Sequence, residues 1–221
     1  MNDFFNKDIT SIKNYTRDQL EKIFEYTDKI IALDPIQRRE ICKGKTLSYL
    51  FYEPSTRTRL SFESAIALIG GNSLGISDIS SSSTQKGESL ADTVKIMSIY
   101  SDVLVLRHPL DGSSRFASEI SSKPVINAGS GTEEHPTQAI QDLFTIKKEK
   151  KKIDGLKIGI VGDLKYGRTV YSLLYGLGNY DVDKYLSQNL LTLKNTLMIL
   201  MWYMLQEFKK KDSLTRRNIS K

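Results

Sequence analysis

The amino-acid sequence predicts an α/β fold, a doubly wound parallel sheet followed by an incomplete second α/β domain. Short apolar segments alternate with helical segments from residue 46 onward, which is typical of a parallel sheet covered by helices on both faces. Polar motifs follow the apolar segments, at positions where parallel strands end. The alternation stops near residue 184, and an apolar cluster at 197–205 and a basic tail follow. We therefore expect domains at residues 1–150 and 151–183, and an aberrant tail at 184–221.

The first predicted element is a helix that starts near Thr16. Thr16 and Gln19 have the spacing of a capping box, and five apolar residues follow at roughly helical intervals, namely Leu20, Ile23, Phe24, Ile30 and Ile31. Strands are predicted at residues 46–51, 73–76, 103–106 and 125–127, and at 156–161 in the second domain. Helices are predicted at about residues 56–68, 89–100, 114–121, 137–150 and 169–177.

Composition indicates a cytoplasmic protein that binds neither nucleic acid nor membranes. The single cysteine, Cys42, leaves no intramolecular disulfide to form, and the first residues lack the basic start and apolar core of a signal peptide. Residues 187–221, with seven basic and two acidic residues, contribute +5 of the formal net charge of +6, so the rest of the chain offers no basic face to a polyanion. The apolar stretch at 186–205 is too interrupted for a membrane span of about 20 residues.

Residues 55–59 place three hydroxyls and two arginines where an apolar strand passes into a helix. They are Ser55, Thr56, Arg57, Thr58 and Arg59. At a helix start the free backbone N–H groups and the helix dipole favour an anion, and hydroxyl and guanidinium groups can add charge-assisted hydrogen bonds. A simple N-cap accounts for one hydroxyl but not for the whole set. The segment therefore predicts a phosphate site.

Five motifs, taken in order, resemble the aspartate and ornithine carbamoyltransferase family. They are the S-T-R-T-R run at 55–59, Ser82 with Lys86-Gly87-Glu88, Arg107-His108-Pro109, His135-Pro136-Thr137-Gln138, and the segment 162–168 that ends at Arg168. The resemblance is continuous from about Leu20 to about Asp183. Residues 162–168 resemble the aspartate branch, and the chain has no His-Cys-Leu-Pro segment of the ornithine branch.

The resemblance implies transfer of a carbamoyl group from carbamoyl phosphate to the amine of L-aspartate, a step of pyrimidine biosynthesis that needs no metal or cofactor. Residues 1–150 would be the carbamoyl-phosphate-binding domain, and residue 151 would begin the aspartate-binding domain. Ser55, Thr56, Arg57 and Arg107 would hold the phosphate group of the substrate. The protein would then supply a cradle for the leaving phosphate and donors for the developing oxyanion.

The same resemblance assigns the groups around the carbonyl. Thr58, Arg107 and His135 would polarise the carbonyl oxygen, so that these three and Arg57 are the expected catalytic residues. Gln138 would contact the carbamoyl amide, and Arg168 would bind aspartate. From the residues alone, His135 could also be a buried structural histidine and Arg168 a surface residue at a helix start.

Ser82 and Lys86 lie on a serine-rich loop that would extend away from its own site. In the family this loop enters the neighbouring subunit, so the resemblance implies a homotrimer with shared active sites, and it leaves room for regulatory subunits. Lys86 would also bind aspartate. The alternative interpretation of Lys86 is an ordinary solvated lysine.

The resemblance ends near residue 183, where family members continue with the rest of the aspartate-binding domain. The codons permitted for residues 201–212, read with two nucleotides skipped, can encode VVYVTRIQKERF, which resembles the family's aspartate-binding strand. We therefore expect a frameshift near residue 184, natural or from sequencing, which the nucleotide sequence of the locus would decide. We also expect no second strand beside the one at 156–161, an unpaired sheet edge, and little turnover of aspartate.

Two further functions stay open at this point. One is a transcarbamoylase with another amine acceptor such as ornithine, because the retained motifs mostly recognise the shared carbamoyl phosphate. The other is a non-catalytic, carbamoyl-phosphate-binding partner in a trimer, which the aberrant tail would allow. The presence of every expected carbonyl and phosphate ligand argues against that second function.

Overall fold

The computed structural model of the protein describes residues 4–77, 87–132, 134–165 and 167–188. The helices in these ranges are α1 (Arg17–Ala32), α2 (Pro35–Arg39), α3 (Thr56–Leu68), α4 (Leu90–Tyr100), α5 (Ser113–Ile120), α6 (Pro136–Lys150) and α7 (Arg168–Leu177). The strands are β1 (Thr46–Phe51), β2 (Asn72–Ile76), β3 (Val103–His108), β4 (Val125–Ser130), β5 (Lys157–Val161) and β6 (Asp183–Ser187). No helix within these ranges is both long enough and apolar enough to cross a bilayer.

The first four strands form one parallel sheet in the order β2-β1-β3-β4, which confirms the predicted doubly wound fold. From β1 the chain moves outward to β2, and it then returns to place β3 on the other side of β1. The strand order therefore reverses between β1 and β3, and Phe51 at the end of β1 lies opposite Arg107 near the end of β3. In open α/β sheets a ligand crevice forms beyond the carboxyl ends of two such strands.

Alternate residues of these strands pack on opposite faces of the sheet. Leu50 and Leu106 belong to a core cluster with Val94 of α4 and Ala117 of α5. Phe51, the next residue along β1, belongs to a second cluster that includes Val105 and Ile66 of α3. Strands buried on both faces are expected to be almost continuously apolar, and this explains why the strand segments were recognisable in the sequence.

A third core cluster joins the two units of the chain. Leu20 and Phe24 of α1 pack with Leu143 of α6 and with Ile158 of β5 and Leu177 of α7. The predicted capping box of Thr16 and Gln19 is present at the start of α1. Ile31, predicted with the apolar face, is 52% exposed because α1 extends past the cluster that covers its first half. Helices α1 and α6 thus hold the second unit against the first.

The expectation that β5 has no neighbouring strand is wrong. Strand β6 pairs in parallel with the whole of β5, from Lys157 opposite Asp183 to Val161 opposite Ser187. The connection through α7 makes a βαβ unit, and the new strand satisfies backbone groups that β5 would otherwise expose along that edge. Residues 189–221, where most of the predicted aberrant tail falls, lie outside the described ranges.

Candidate active site

The start of helix α3 is open to an incoming anion. Ser55 is the N-cap residue, yet its hydroxyl makes no capping hydrogen bond, so the first N–H groups of the helix have no side-chain partner. Thr56, Arg57 and Thr58 form the first turn. The Arg57 side chain is exposed and forms no ion pair with any residue in the described ranges. The helix start that the sequence predicted at these residues is therefore present, and its use as a phosphate site stays a prediction.

Arg107 lies at the carboxyl end of β3 and faces a carboxylate that follows β1. Its Nε is 3.2 Å from Glu53 Oε2, an ion pair that lacks the alignment of a hydrogen bond, and its Nη1 donates to the carbonyl of Ala128 at 3.2 Å. Burial lowers the pKa of Arg107, and the charge of Arg168 lowers it further, whereas Glu53 raises it. The guanidinium stays charged, since an arginine starts from a very high pKa.

Glu53 also binds Arg168, the first residue of α7. Arg168 Nη2 donates to Glu53 Oε2 at 3.2 Å, and its Nη1 donates to the carbonyl of Gly131 at 2.6 Å. Gly129, at φ +111°, lies close to both guanidinium groups, and a Cβ there would come within 3.3 Å of Arg107 and 3.4 Å of Arg168. One carboxylate therefore bridges two arginines from different units, and the cluster carries a net positive charge.

His135 is the N-cap residue of α6 and is buried beside the two arginines. Burial, and then the charges of Arg107 and Arg168, lower its pKa to about 4, so the imidazole is neutral near pH 7. The Thr137 hydroxyl lies 3.3 Å from Nδ1. If Thr137 donates to Nδ1, the remaining proton is on Nε2, which becomes a neutral hydrogen-bond donor.

Ser172 of α7 ties His135 to Arg168. Its fully buried hydroxyl accepts a hydrogen bond from the backbone N–H of His135 at 2.8 Å and donates to the carbonyl of Arg168 at 3.0 Å. The histidine from the first unit and the arginine from the second therefore share one hydroxyl. This contact fixes how the start of α6 meets the start of α7.

Glu134, the residue before His135, anchors the loop before α6 to the N-terminal part of the chain. The buried carboxylate of Glu134 accepts hydrogen bonds from the Ser11 hydroxyl at 2.8 and 3.0 Å and from the backbone N–H of Ile12 at 2.9 Å. Lys13 Nζ lies 3.6 Å from the same carboxylate. The helical turn at Ile12–Asn14 thus holds the approach to α6.

Gln138, in the first turn of α6, forms no side-chain hydrogen bond with the arginine cluster in the described ranges. Its Nε2 donates to Asp142 Oδ1 at 2.8 Å. Burial raises the pKa of Asp142, and the hydrogen bond from Gln138 lowers it. The amide therefore has a fixed partner on its own helix.

The structure brings together three of the predicted site residues, Arg107, His135 and Arg168. Residues 55–58 begin two positions after Glu53, and no hydrogen bond or ion pair in the described ranges joins them to the three. Ser82 and Lys86 lie outside the described residues. Within the described chain, no group of three or more His, Cys, Asp and Glu side chains is placed to hold a metal ion.

Four residues of the site had no role in the sequence prediction: Glu53, Glu134, Asp142 and Ser172. Glu53 stood beside the predicted phosphate motif, and its place after a strand was a usable signal. Ser172 had no comparable signal, because its role depends on the contact between α6 and α7.

The family model for the carbamoyl-phosphate-binding domain of aspartate/ornithine carbamoyltransferase matches residues 7–148. Among curated relatives, the aspartate carbamoyltransferase catalytic subunit of Nitrosopumilus maritimus is 85% identical over 183 residues, which cover 83% of this chain and 59% of the relative. The same subunit of Thermococcus kodakarensis is 50% identical over 185 residues, which cover 83% of this chain and 60% of the relative. The chain thus spans less than two thirds of the length of these relatives.

Solved structures of aspartate transcarbamoylases share the fold, as two examples show. The catalytic subunit of M. jannaschii aspartate transcarbamoylase superposes with a TM-score of 0.78 at 44% identity, covering 93% of this chain and 66% of that one. Aspartate transcarbamoylase from Trypanosoma cruzi, in complex with carbamoyl phosphate and aspartate, superposes with a TM-score of 0.75 at 37% identity, covering 80% of this chain and 56% of that one.

Proposed function

Because the chain belongs to the aspartate/ornithine carbamoyltransferase family, we propose that its site serves the transfer of a carbamoyl group from carbamoyl phosphate to L-aspartate, at the low turnover expected from the aberrant tail. The amine nitrogen attacks the carbonyl carbon, a C–N bond forms, the C–O bond to phosphate breaks, and the departing phosphate takes the proton that the amine nitrogen loses. The products are N-carbamoyl-L-aspartate and phosphate. The observation that carries the proposal is the meeting of Arg107, Arg168 and His135 at the switch point of the sheet, around Glu53, which precedes the first turn of α3 by two residues.

Phosphate binds at the start of α3 in this proposal. The hydroxyl of Ser55 and the first N–H groups of the helix are not used by a capping bond, and Arg57 has no carboxylate partner in the described chain. Thr56 adds a second hydroxyl, and Arg107 reaches the same crevice from β3. The departing phosphate carries about two negative charges and would compete with Glu53 for Arg107. Its hydrogen bonds to these groups would become stronger as the negative charge develops.

His135 acts as a neutral donor to the carbonyl oxygen. A pKa of about 4 keeps the ring unprotonated, so it can stabilise an oxyanion through Nε2–H without competing as a cation for the phosphate. Thr58 and Arg107 are the other donors. Loss of one such donor typically slows catalysis by about 100- to 1000-fold.

Arg168 and Lys86 bind the carboxylates of aspartate. The Arg168 side chain is 19% exposed, and the residue is the first of α7. The names of the relatives favour aspartate over ornithine as the acceptor amine, since the relatives named above are aspartate enzymes.

Binding of the two bisubstrate mimics N-phosphonoacetyl-L-aspartate and N-phosphonoacetyl-L-ornithine tests this choice without turnover. Tighter binding of the aspartate mimic is expected, and tighter binding of the ornithine mimic would reject aspartate as the acceptor.

The proposed assembly is a homotrimer in the cytoplasm, in which Ser82 and Lys86 reach the site of a neighbour and the reaction serves pyrimidine biosynthesis. The family resemblance supports this assembly and leaves room for regulatory subunits. A mixture of Lys86→Ala and Arg57→Ala chains should recover activity that neither variant has alone. Mixed oligomers without any recovery would reject shared sites.

A further inference from the structure

Gln138 and Asp142 form a hydrogen-bonded pair along one face of helix α6. Gln138 Nε2 donates to Asp142 Oδ1 at 2.8 Å, and residues four positions apart on a helix lie one above the other. Throughout the described ranges, Gln138 is the only hydrogen-bonding partner of this carboxylate. The pair therefore isolates one acid and one amide from the other polar groups of the helix.

The stability of the fold does not explain this carboxylate. Burial raises the pKa of Asp142, because the charged form loses solvation, and the single hydrogen bond from Gln138 offsets that cost only in part. A largely buried carboxylate with one neutral partner is weak evidence for a stabilising role. A role in orienting its partner is the simpler explanation.

A carboxylate fixes which end of an amide faces it. In the structure the NH₂ group of Gln138 faces Asp142, as it would beside an ionised carboxylate, which only accepts hydrogen bonds, and Oε1 is left as an acceptor. No residue of the described chain donates to Oε1. Gln138 also lies one turn after His135, whose carbonyl accepts from the Gln138 N–H at 3.1 Å. The free acceptor Oε1 of Gln138 therefore lies at the same end of α6 as His135, the proposed hydrogen-bond donor to the carbonyl oxygen.

We propose that Asp142 is a positioning residue that holds the Gln138 amide with Oε1 ready to accept a hydrogen bond from the NH₂ group of the carbamoyl substrate. This inference rests on the proposed function. A carbamoyl group and an acetyl group have nearly the same shape, but only the carbamoyl group has N–H donors. The Asp142–Gln138 pair would thus select carbamoyl phosphate over acyl phosphates, because an acceptor left without a donor in a dry site is costly.

Two stable phosphonates test the inference by calorimetry. Phosphonoacetamide has the amide of the substrate, and acetonylphosphonate has a methyl group in place of NH₂. The wild-type chain should bind the amide about tenfold more tightly than the ketone, as one hydrogen bond in a desolvated site predicts. Asp142→Leu should bring the two affinities close together, mainly by weakening the amide.

Two further variants make the calorimetric test independent of any folding defect in Asp142→Leu. Asp142→Asn retains the shape of the side chain and can face Gln138 with either end, so it should give an intermediate preference. Gln138→Leu should abolish the preference, and Asp142→Leu added to it should change nothing further, since residues that act as a unit are not additive.

Equal weakening of both phosphonates in Asp142→Leu, or an unchanged preference in both Asp142 variants, would overturn the positioning role while the proposed function stands. Failure of the wild-type chain to bind either phosphonate would instead reject the proposed function, and the inference with it.

Discussion

The hydroxyl of Ser172 accepts a hydrogen bond from the backbone N–H of His135 at 2.8 Å, although the two residues lie on different helices and 37 positions apart. Both groups are buried. The contact links the second unit of the chain to the first turn of α6, where the proposed carbonyl donor lies. It makes the position of His135 depend on the docking of α7.

Ser172→Ala should therefore destabilise the protein and misplace His135. Removing the acceptor leaves a buried N–H without a partner, which typically costs about 1–3 kcal/mol. Chemical unfolding of the wild type and the variant measures the loss. Ser61→Ala is a matched control, because the Ser61 hydroxyl makes the same kind of bond to the carbonyl of Arg57 on an exposed face of α3. Its effect should stay within about 0.5 kcal/mol. Equal losses in both variants would show that the His135 contact adds nothing.

Glu53→Gln should increase the affinity of the site for inorganic phosphate. The carboxylate lies 3.2 Å from both Arg107 and Arg168, so it competes with any anion for the two cations. Its neutralisation should tighten phosphate binding about 3- to 10-fold at low ionic strength, and added salt should reduce the gain.

Glu119→Gln is the control for this change. Glu119 is also paired with an arginine, Arg115, at 3.5 Å, but the pair lies on an exposed face of α5 and neither residue belongs to the predicted site. Phosphate affinity should be unchanged in this variant. Weaker phosphate binding in Glu53→Gln would contradict the competition and would indicate that Glu53 mainly orients the arginines.

The pH dependence of stability should report the buried imidazole of His135. Its pKa falls from an ordinary 6.5 to about 4 on folding, so the unfolded chain takes up a proton first as the pH decreases. The free energy of unfolding should therefore fall between pH 7 and pH 5, by about 2 kcal/mol from this residue. Burial also lowers the pKa of His108, the other histidine of the chain. His108 therefore also makes the free energy of unfolding fall as the pH decreases.

Urea unfolding at several pH values separates the two histidines. His135→Gln should remove most of the slope between pH 7 and pH 5, and His108→Gln should remove a smaller part. A slope that His135→Gln leaves unchanged would mean that the imidazole is solvated or already charged in the folded protein.

Much of the fold could be predicted from the sequence because its signals are local. Strand β1 and helix α3 have the bounds that the sequence predicted, since a doubly buried strand and a helix that ends before Gly70 leave clear patterns. Strand β6 was missed. Residues 183–187 are mostly polar or exposed, and their pairing with β5 follows from the crossover through α7 rather than from their own pattern.

Some residues of the candidate site could likewise be predicted from local patterns, and others could not. Arg107, His135 and Arg168 were predicted because each stands in a recognisable motif at the end of a strand or the start of a helix. The bridging role of Glu53 and the hydroxyl of Ser172 depend on distances across the fold, which a local pattern does not contain. Gln138 was predicted as a ligand of the substrate, but its pairing with Asp142 required the side-chain geometry of α6.

The central claim is that the start of α3 and the arginine cluster form one phosphate site. Calorimetric titration of Arg57→Ala with carbamoyl phosphate tests it most directly, because Arg57 is exposed and its loss should leave the fold intact. Arg115→Ala, in an exposed ion pair on α5, is the control. We predict that Arg57→Ala binds carbamoyl phosphate about tenfold or more weakly than the wild type, and that Arg115→Ala binds it normally. Equal affinity of the wild type and Arg57→Ala, or no binding by the wild type, would contradict the claim.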